Sequence, residues 1–219
     1  LGIPGLVARI MVAHGIGSIE EGQLFLTPSL DRDWADPLII PGMSVVADRV
    51  ERAIRNHEHI AVFGDFDVDG ITSTCLLTEA LRVFGADVTP FIPHRFEEGY
   101  GLSRAALDRV NELAHPQLIV TVDNGIAAKE EVSYLESLGI DLVVTDHHEP
   151  SDQVPQGVPL TDPKLEDEGP SRELAGAGVA LKLVQVLGER LGKPSYWRSL
   201  IEIAALGTVS DMMPLTPEN

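Results

Sequence analysis

Three aspartates, Asp65, Asp67 and Asp69, stand at alternate positions just after the apolar run 60–63, and Gly70 follows them. Side chains two apart in an extended chain face the same way, so these carboxylates can converge on one point. Like charges held that close repel unless a cation lies between them, and a divalent metal is the usual answer. Further groups of the same chemistry follow. Asp123 ends the run 118–122 and leads into Asn124 and Gly125, while Asp146 ends the run 142–145 and leads into His147 and His148. Asp211 comes after an apolar segment that reaches Gly207. Carboxylates mixed with neutral imidazole suit Mn²⁺, Fe²⁺ or Zn²⁺ better than Ca²⁺, and a carboxylate-rich site suits Mn²⁺ or Mg²⁺. Asp146 can instead orient a histidine from behind the ligands.

Two other chemistries share parts of this pattern. An EF-hand loop opens with the same Asp-x-Asp-x-Asp-Gly spacing, but its twelfth position needs a glutamate and here holds Leu76. The Asp-x-Asp-x-Thr pattern of haloacid-dehalogenase phosphatases places its threonine one residue earlier than Thr72. Taken singly, turn aspartates before a helix are commonly solvated and favoured by the helix dipole. Their placement on several strand ends argues for a shared site.

The elements that must position these groups are short apolar runs at 60–63, 88–92, 118–122 and 142–145, alternating with helical patterns at 72–84, 103–113 and 129–138. Apolar runs without alternation, separated by amphipathic helices, imply a parallel sheet covered on both faces. The fold expected is α/β, a Rossmann-like parallel sheet flanked by helices, with helical N-terminal and C-terminal extensions. Right-handed crossovers place every strand's C-terminal end along one edge, the ligand-binding edge of open α/β sheets. Ser44 is expected to cap a helix buried through Val46, Val50, Ala53 and Ile54. Residues 1–43 read as a helical and irregular segment packed on the core, with Leu6, Val7, Ile10 and Met11 as one apolar face. Residues 44–219 read as the main domain, closing with helices at 174–191 and 196–206.

With 34 acids against 16 basic residues the net charge is −18, the wrong sign for general nucleic-acid binding. Either the acids form a solvated face, or some of them gather cations that in turn hold a polyanion. The single cysteine, Cys75, rules out an internal disulfide and suits a reducing cytoplasm. No apolar run is long enough to span a bilayer, so no membrane role is expected. On the βα loops, Arg95 could steady a phosphate, and Phe66, Phe96 and Tyr100 could stack on bases. The glycines of Leu174-Ala175-Gly176-Ala177-Gly178-Val179-Ala180 allow close helix packing or a close approach of Gly176 and Gly178 to a phosphate.

The segments Asp65-Phe66-Asp67-Val68-Asp69-Gly70, Val122-Asp123-Asn124-Gly125, Asp146-His147-His148 and Gly207-Thr208-Val209-Ser210-Asp211 together resemble the four successive motifs of the DHH phosphoesterase family. Within it, the segments from Arg95 to Leu102 and from Leu174 to Ala180 resemble RecJ-type exonucleases specific for single strands. Two departures, Asp162-Pro163 in place of the commoner Asn-Pro and Ser210 in place of alanine, touch nothing central. The resemblance implies 5′→3′ degradation of single-stranded DNA to mononucleotides in repair and recombination, with two Mn²⁺ or Mg²⁺ ions. It places one ion on Asp65, Asp67 and Asp123, and the other on Asp69, Asp123, His147 and Asp211. His148 would face the scissile phosphate, and Asp146 would support the histidines. It also implies a second lobe and DNA-binding domains outside these residues, which would account for the acidic balance, and partners such as a single-strand-binding protein and a helicase. Two alternatives are a nanoRNase or phosphatase of the same family acting on short nucleotides, and a non-catalytic replication scaffold. Intact acids in all four motifs argue against the scaffold.

Overall fold

A computed structural model of the chain describes residues 1–95, 98–99, 101–215 and 218–219. Phe96 and Tyr100, two of the proposed stacking rings, lie outside the described residues. Three helices come first, α1 (Gly5–Ala13), α2 (Ile19–Leu26) and the single turn α3 (Leu30–Asp33). Then follow α4 (Met43–Arg55), β1 (His59–Phe63), α5 (Val68–Val83), β2 (Asp87–Phe91), α6 (Arg104–Ala114) and β3 (Leu118–Thr121). The chain continues through α7 (Lys129–Leu138), β4 (Asp141–Thr145), β5 (Leu160–Thr161), α8 (Gly176–Arg190) and α9 (Ile201–Ser210). All strand pairs are parallel, in the order β2-β1-β3-β4-β5. The sheet is covered on both faces, as its unbroken apolar runs require. Ile60, Val62, Val120 and Val143 pack under α4, α5, α8 and α9, while Ala61, Phe63, Ile119 and Val144 pack under α6 and α7.

The strand order grows outward in both directions from β1 and β3, which makes the gap between their C-terminal ends the topological switch point. Asp65 and Asp123 stand there. The two-residue strand β5 is not foreseen from the sequence, because Leu160 and Thr161 follow a proline-containing loop and carry no periodic signal.

Two local expectations change. Helix α4 is entered through Gly42 in a left-handed conformation (φ 76°), and Ser44 lies inside the helix without capping it. A side chain at Gly42 would also collide with the backbone carbonyl of Leu160, so the close approach of α4 to β5 requires glycine. Helix α5 begins at Val68 instead of Thr72, with Asp67 as its N-cap accepting from the Gly70 amide at 2.9 Å. The Asp65–Asp69 stretch is therefore not extended throughout, and Asp69 belongs to a helical first turn.

The N-terminal segment docks through Trp34, which stacks on Trp197 with ring centroids 5.6 Å apart and donates its indole N–H to Gln185. The apolar face expected of α1 is buried only at Met11, and Leu6 and Ile10 are exposed.

Candidate metal centre

Parallel register carries the chemistry. Phe63 is level with Thr121, Val120 with Val143, and Thr145 with Thr161. Extending each register past the strand ends sets Asp65 beside Asp123, Asp123 beside Asp146, and Asp146 beside Asp162. One row of acids thus crosses the C-terminal edge of the sheet, and all four are buried. Helices supply the rest. Asp69 comes from the first turn of α5 and Asp211 is the C-cap of α9.

The glycines of the motifs explain how these elements come so close. A side chain at Gly207 would sit 2.5 Å from both Asp69 Oδ1 and Thr72 Oγ1, and one at Gly176 would sit 2.7 Å from Asp123 Cβ. Helix α8 aims its N-terminus at Asp69, whose carboxylate accepts from the amides of Gly176 (2.7 Å) and Ala177 (2.9 Å). Those amides and the positive end of the helix dipole stabilise the negative charge. Gly176 thereby directs its N–H to a carboxylate of the cluster, and Gly178 is buried against Leu174.

Among the described residues three groups of donor atoms form, each with members within 4.8 Å of one another: Asp65, Asp67 and Asp123; Asp69, His147 and Asp211; and Asp123, His147 and His148. The first matches the ion-binding set implied for one metal, and the second matches the other set apart from Asp123. His147 Nε2 lies 2.9 Å from Asp123 Oδ1, 3.6 Å from Asp69 Oδ2 and 3.7 Å from Asp211 Oδ2. Yet His147 Nε2 and Asp123 Oδ1 are both buried without a hydrogen-bond partner. Lone pairs that converge without a shared hydrogen fit a cation, since a buried donor or acceptor is otherwise costly to leave unmatched. Asp123 also adopts φ 60°, a left-handed conformation uncommon outside glycine, of the kind that collects at functional sites.

The electrostatics agree. Burial, then the neighbouring charges of Asp69, Asp67 and Asp146, push the Asp123 carboxyl up to about 10. Burial also raises Asp65 and Asp69. Acids this strained toward neutrality are what a divalent ion would restore to carboxylates. Asp146 behaves differently. Burial alone would raise it, but His148 Nδ1 at 2.7 Å and the amides of Ile126 and His147 together hold it below the usual range. Its partner His148 is raised by the same hydrogen bond. Asp146 thus carries a stable negative charge that orients His148, whose side chain is half exposed.

Beside the cluster, a cleft of about 520 Å³ is lined by Leu102, Ser103, Asn124, Ile126, His148 and Glu149 among others. Arg95 lies with its guanidinium 4.5 Å from the centre of the Phe66 ring. Asp162, one of the two departures expected to touch nothing central, instead lies against the site. It is fully buried and pushed up to about 7 by burial, with Asp146 raising it and His147 lowering it. Only a strand at 160–161 would have marked it, and that strand left no trace in the sequence pattern.

The geometry agrees with what known proteins share with this chain. The chain is 40% identical over 220 residues to the single-stranded-DNA-specific exonuclease RecJ of Bacillus subtilis (strain 168), covering 100% of this chain and 27% of that protein. Its structure matches a crystal structure of exonuclease RecJ bound to manganese with a TM-score of 0.75 and 39% identity, over 82% of this chain and 46% of the other. It matches RecJ in complex with Mn²⁺ from Thermus thermophilus with a TM-score of 0.74 and 33% identity, over 100% of this chain and 32% of that one. The chain therefore spans less than half the length of these relatives. The model of the DHH family, N-terminal domain, matches residues 59–208. That match takes in the sheet edge and reaches into the last of the four motifs, and the chain belongs to the DHH family.

Proposed function

We propose that this chain is the metal-binding catalytic part of a phosphodiesterase that degrades single-stranded DNA from the 5′ end to mononucleotides. The observation that carries this is the pair of donor groups, Asp65–Asp67–Asp123 and Asp69–His147–Asp211, adjoining through the 2.9 Å approach of His147 to Asp123. Asp65, Asp67 and Asp123 would hold one Mn²⁺ or Mg²⁺ ion, and Asp69, Asp123, His147 and Asp211 the other. Such a pair lowers the pKa of a water and neutralises the phosphoryl oxygens of a phosphodiester.

The chain's own groups do the rest. The Gly176 and Ala177 amides and the α8 N-terminus fix Asp69. Asp146 turns His148 so that Nδ1 faces inward, leaving Nε2 to donate to an oxygen of the scissile phosphate. Arg95 on Phe66 is placed to meet a phosphate beyond the ions. The grip on the strand lies largely in a second lobe and DNA-binding domains outside these 219 residues, since a chain of net charge −18 repels a polyanion. In the cell the protein works in the cytoplasm, in repair and recombination, beside a single-strand-binding protein and a helicase. No described helix is long and apolar enough to cross a membrane.

The test combines two measurements. Mn²⁺ titration of the 219-residue chain, followed by the signal of free Mn²⁺, gives two ions, and Asp65→Asn reduces this to one. In the full-length protein, Mn²⁺ drives release of mononucleotides from the 5′ end of long single strands, with much slower cleavage of dinucleotides. Asp123→Ala abolishes both ion binding and cleavage. Unchanged binding and activity in Asp123→Ala defeats the assignment, and preferred cleavage of dinucleotides moves the protein to the nanoRNase class.

A further inference from the structure

The turn that leaves the C-terminal end of β2 lies on the same edge of the sheet as the metal centre, and one of its acids is buried. Glu98 has a side chain only 8% exposed, and both of its carboxylate oxygens are taken up. Oε1 accepts from Arg109 Nε at 2.5 Å and Oε2 from Arg109 Nη2 at 2.8 Å, the two-pronged geometry that matches a guanidinium to a carboxylate. Oε2 also accepts from the His94 amide at 2.6 Å, and the Glu98 amide donates to His94 O at 2.9 Å. Arg109, on α6, further donates from Nη2 to Ile92 O at 3.0 Å and lies 4.2 Å from the centre of the Phe91 ring. One arginine thus holds the turn at both its start and its end. The Arg109 hydrogen bond keeps the Glu98 carboxyl below the usual range in spite of burial.

Arg95 stands inside the clamped stretch, exposed, with its guanidinium over the Phe66 ring. Phe66 follows Asp65 directly and donates its amide to Asp65 Oδ1 at 2.8 Å, so the ring that carries Arg95 is tied to the first set of metal donors. An exposed contact between a cation and a ring is weak beside the entropy of ordering a turn, and it does not by itself hold Arg95 in place. We propose that Glu98 and Arg109 are positioning residues: their ion pair clamps residues 92–98 and so holds Arg95 over Phe66, where it takes a phosphate next to the scissile one. The pair touches neither the ions nor the strand and acts only through Arg95. Because the phosphate comes from the exonuclease reading, this inference rests on that reading.

Kinetics of the full-length protein with Mn²⁺ and long single strands test it. Losing a phosphate contact away from the reacting atoms weakens binding and spares the chemical step, so Arg95→Ala raises KM by about 10-fold and moves kcat little. Glu98→Gln, which keeps the size, and Arg109→Lys, which keeps the charge without the fork, raise KM in the same way and leave Mn²⁺ affinity unchanged. In the Arg95→Ala background neither adds a further rise, because groups that act through one contact are not additive. A pair that merely stabilised the fold would lower the melting temperature and leave KM at the wild-type value. That result overturns the proposal, and so do effects on KM that multiply with Arg95→Ala. Hydrogen exchange of the wild type needs no variant to fold: the His94 and Glu98 amides exchange slowly, and exchange at the unprotected rate refutes the clamp. Absence of strand hydrolysis by the wild type would instead sink the exonuclease reading, while amide exchange still decides the clamp.

Discussion

Replacing Gly176 with alanine would place a methyl carbon 2.7 Å from Asp123 Cβ, 2.8 Å from its Oδ1 and 3.0 Å from its Cα. Ordinary carbon contacts begin near about 3.5 Å, so one side must retreat by more than roughly half an ångström. Asp123 is badly placed to yield. Its backbone is in the left-handed region at the end of β3, and the next residue, Asn124, bridges to Thr145. Helix α8 is equally constrained, because the Gly176 and Ala177 amides are bonded to Asp69. Overpacking of this kind costs about 1–3 kcal/mol. Alanine offers at most about 1 kcal/mol of helix propensity over glycine, and less at the first position of a helix. The clash wins, with a net loss of about 1–2 kcal/mol. For a chain of this size that is a fall in melting temperature of roughly 2–8 °C. Because the displaced group is the acid shared between the donor sets, Mn²⁺ affinity should fall as well. Gly169→Ala is the control, since a side chain there would meet nothing within 4 Å and its φ is ordinary; its effect should stay within about 0.5 kcal/mol. Calorimetry with and without Mn²⁺ reads both quantities. A Gly176→Ala chain that melts within about 1 °C of wild type and binds Mn²⁺ unchanged would show that the helix–strand approach is looser than described.

Two further outcomes follow from the charges. Asp65, Asp69, Asp123 and Asp162 all have raised carboxyls, the last two up to about 10 and about 7. The folded chain therefore holds more protons than the unfolded one from about pH 4 upward, and its stability falls as pH rises through that window. The metal-free melting temperature should drop stepwise from about pH 5 to about pH 9, and Mn²⁺ should restore more of it at the upper end than at the lower. Asp146, held low, works the other way and loses its contribution only in strong acid. A flat profile without metal would contradict the crowding of carboxylates. At the opposite edge of the sheet, buried Arg49 binds Glu58 at 2.6 Å and Asp141 at 2.7 Å, tying α4 to the starts of β1 and β4. Both acids reach solvent, so Arg49→Met should cost only about 1–3 kcal/mol in urea unfolding, below the cost of stranding a fully buried charge. A larger loss would mean that the triad organises the strand starts beyond its pairwise bonds.

The sequence by itself determined the architecture and most of the site, because both depend on short-range patterns. Unbroken apolar runs such as 60–63 and 118–122 can be buried only in a sheet covered on both faces, and parallel crossovers then gather Asp65, Asp123 and Asp146 on one edge. Only the tertiary structure decided what depends on long-range approach. The split of Asp65 and Asp69 between two donor sets, carried in the sequence only by the family resemblance, gets its physical cause from the fold: α5 starts at Val68 and rotates Asp69 toward His147 and Asp211, away from the Asp65–Asp67 set. Gly176 reads as a glycine for close helix packing or for approach to a phosphate until α8 is seen pressing its amide onto Asp69. Asp162 reads as a departure from the family pattern that touches nothing central, since a two-residue strand has no period to recognise. Its membership of the acidic row exists only through the pairing of β5 with β4, a contact that spans a long loop and leaves no local signature.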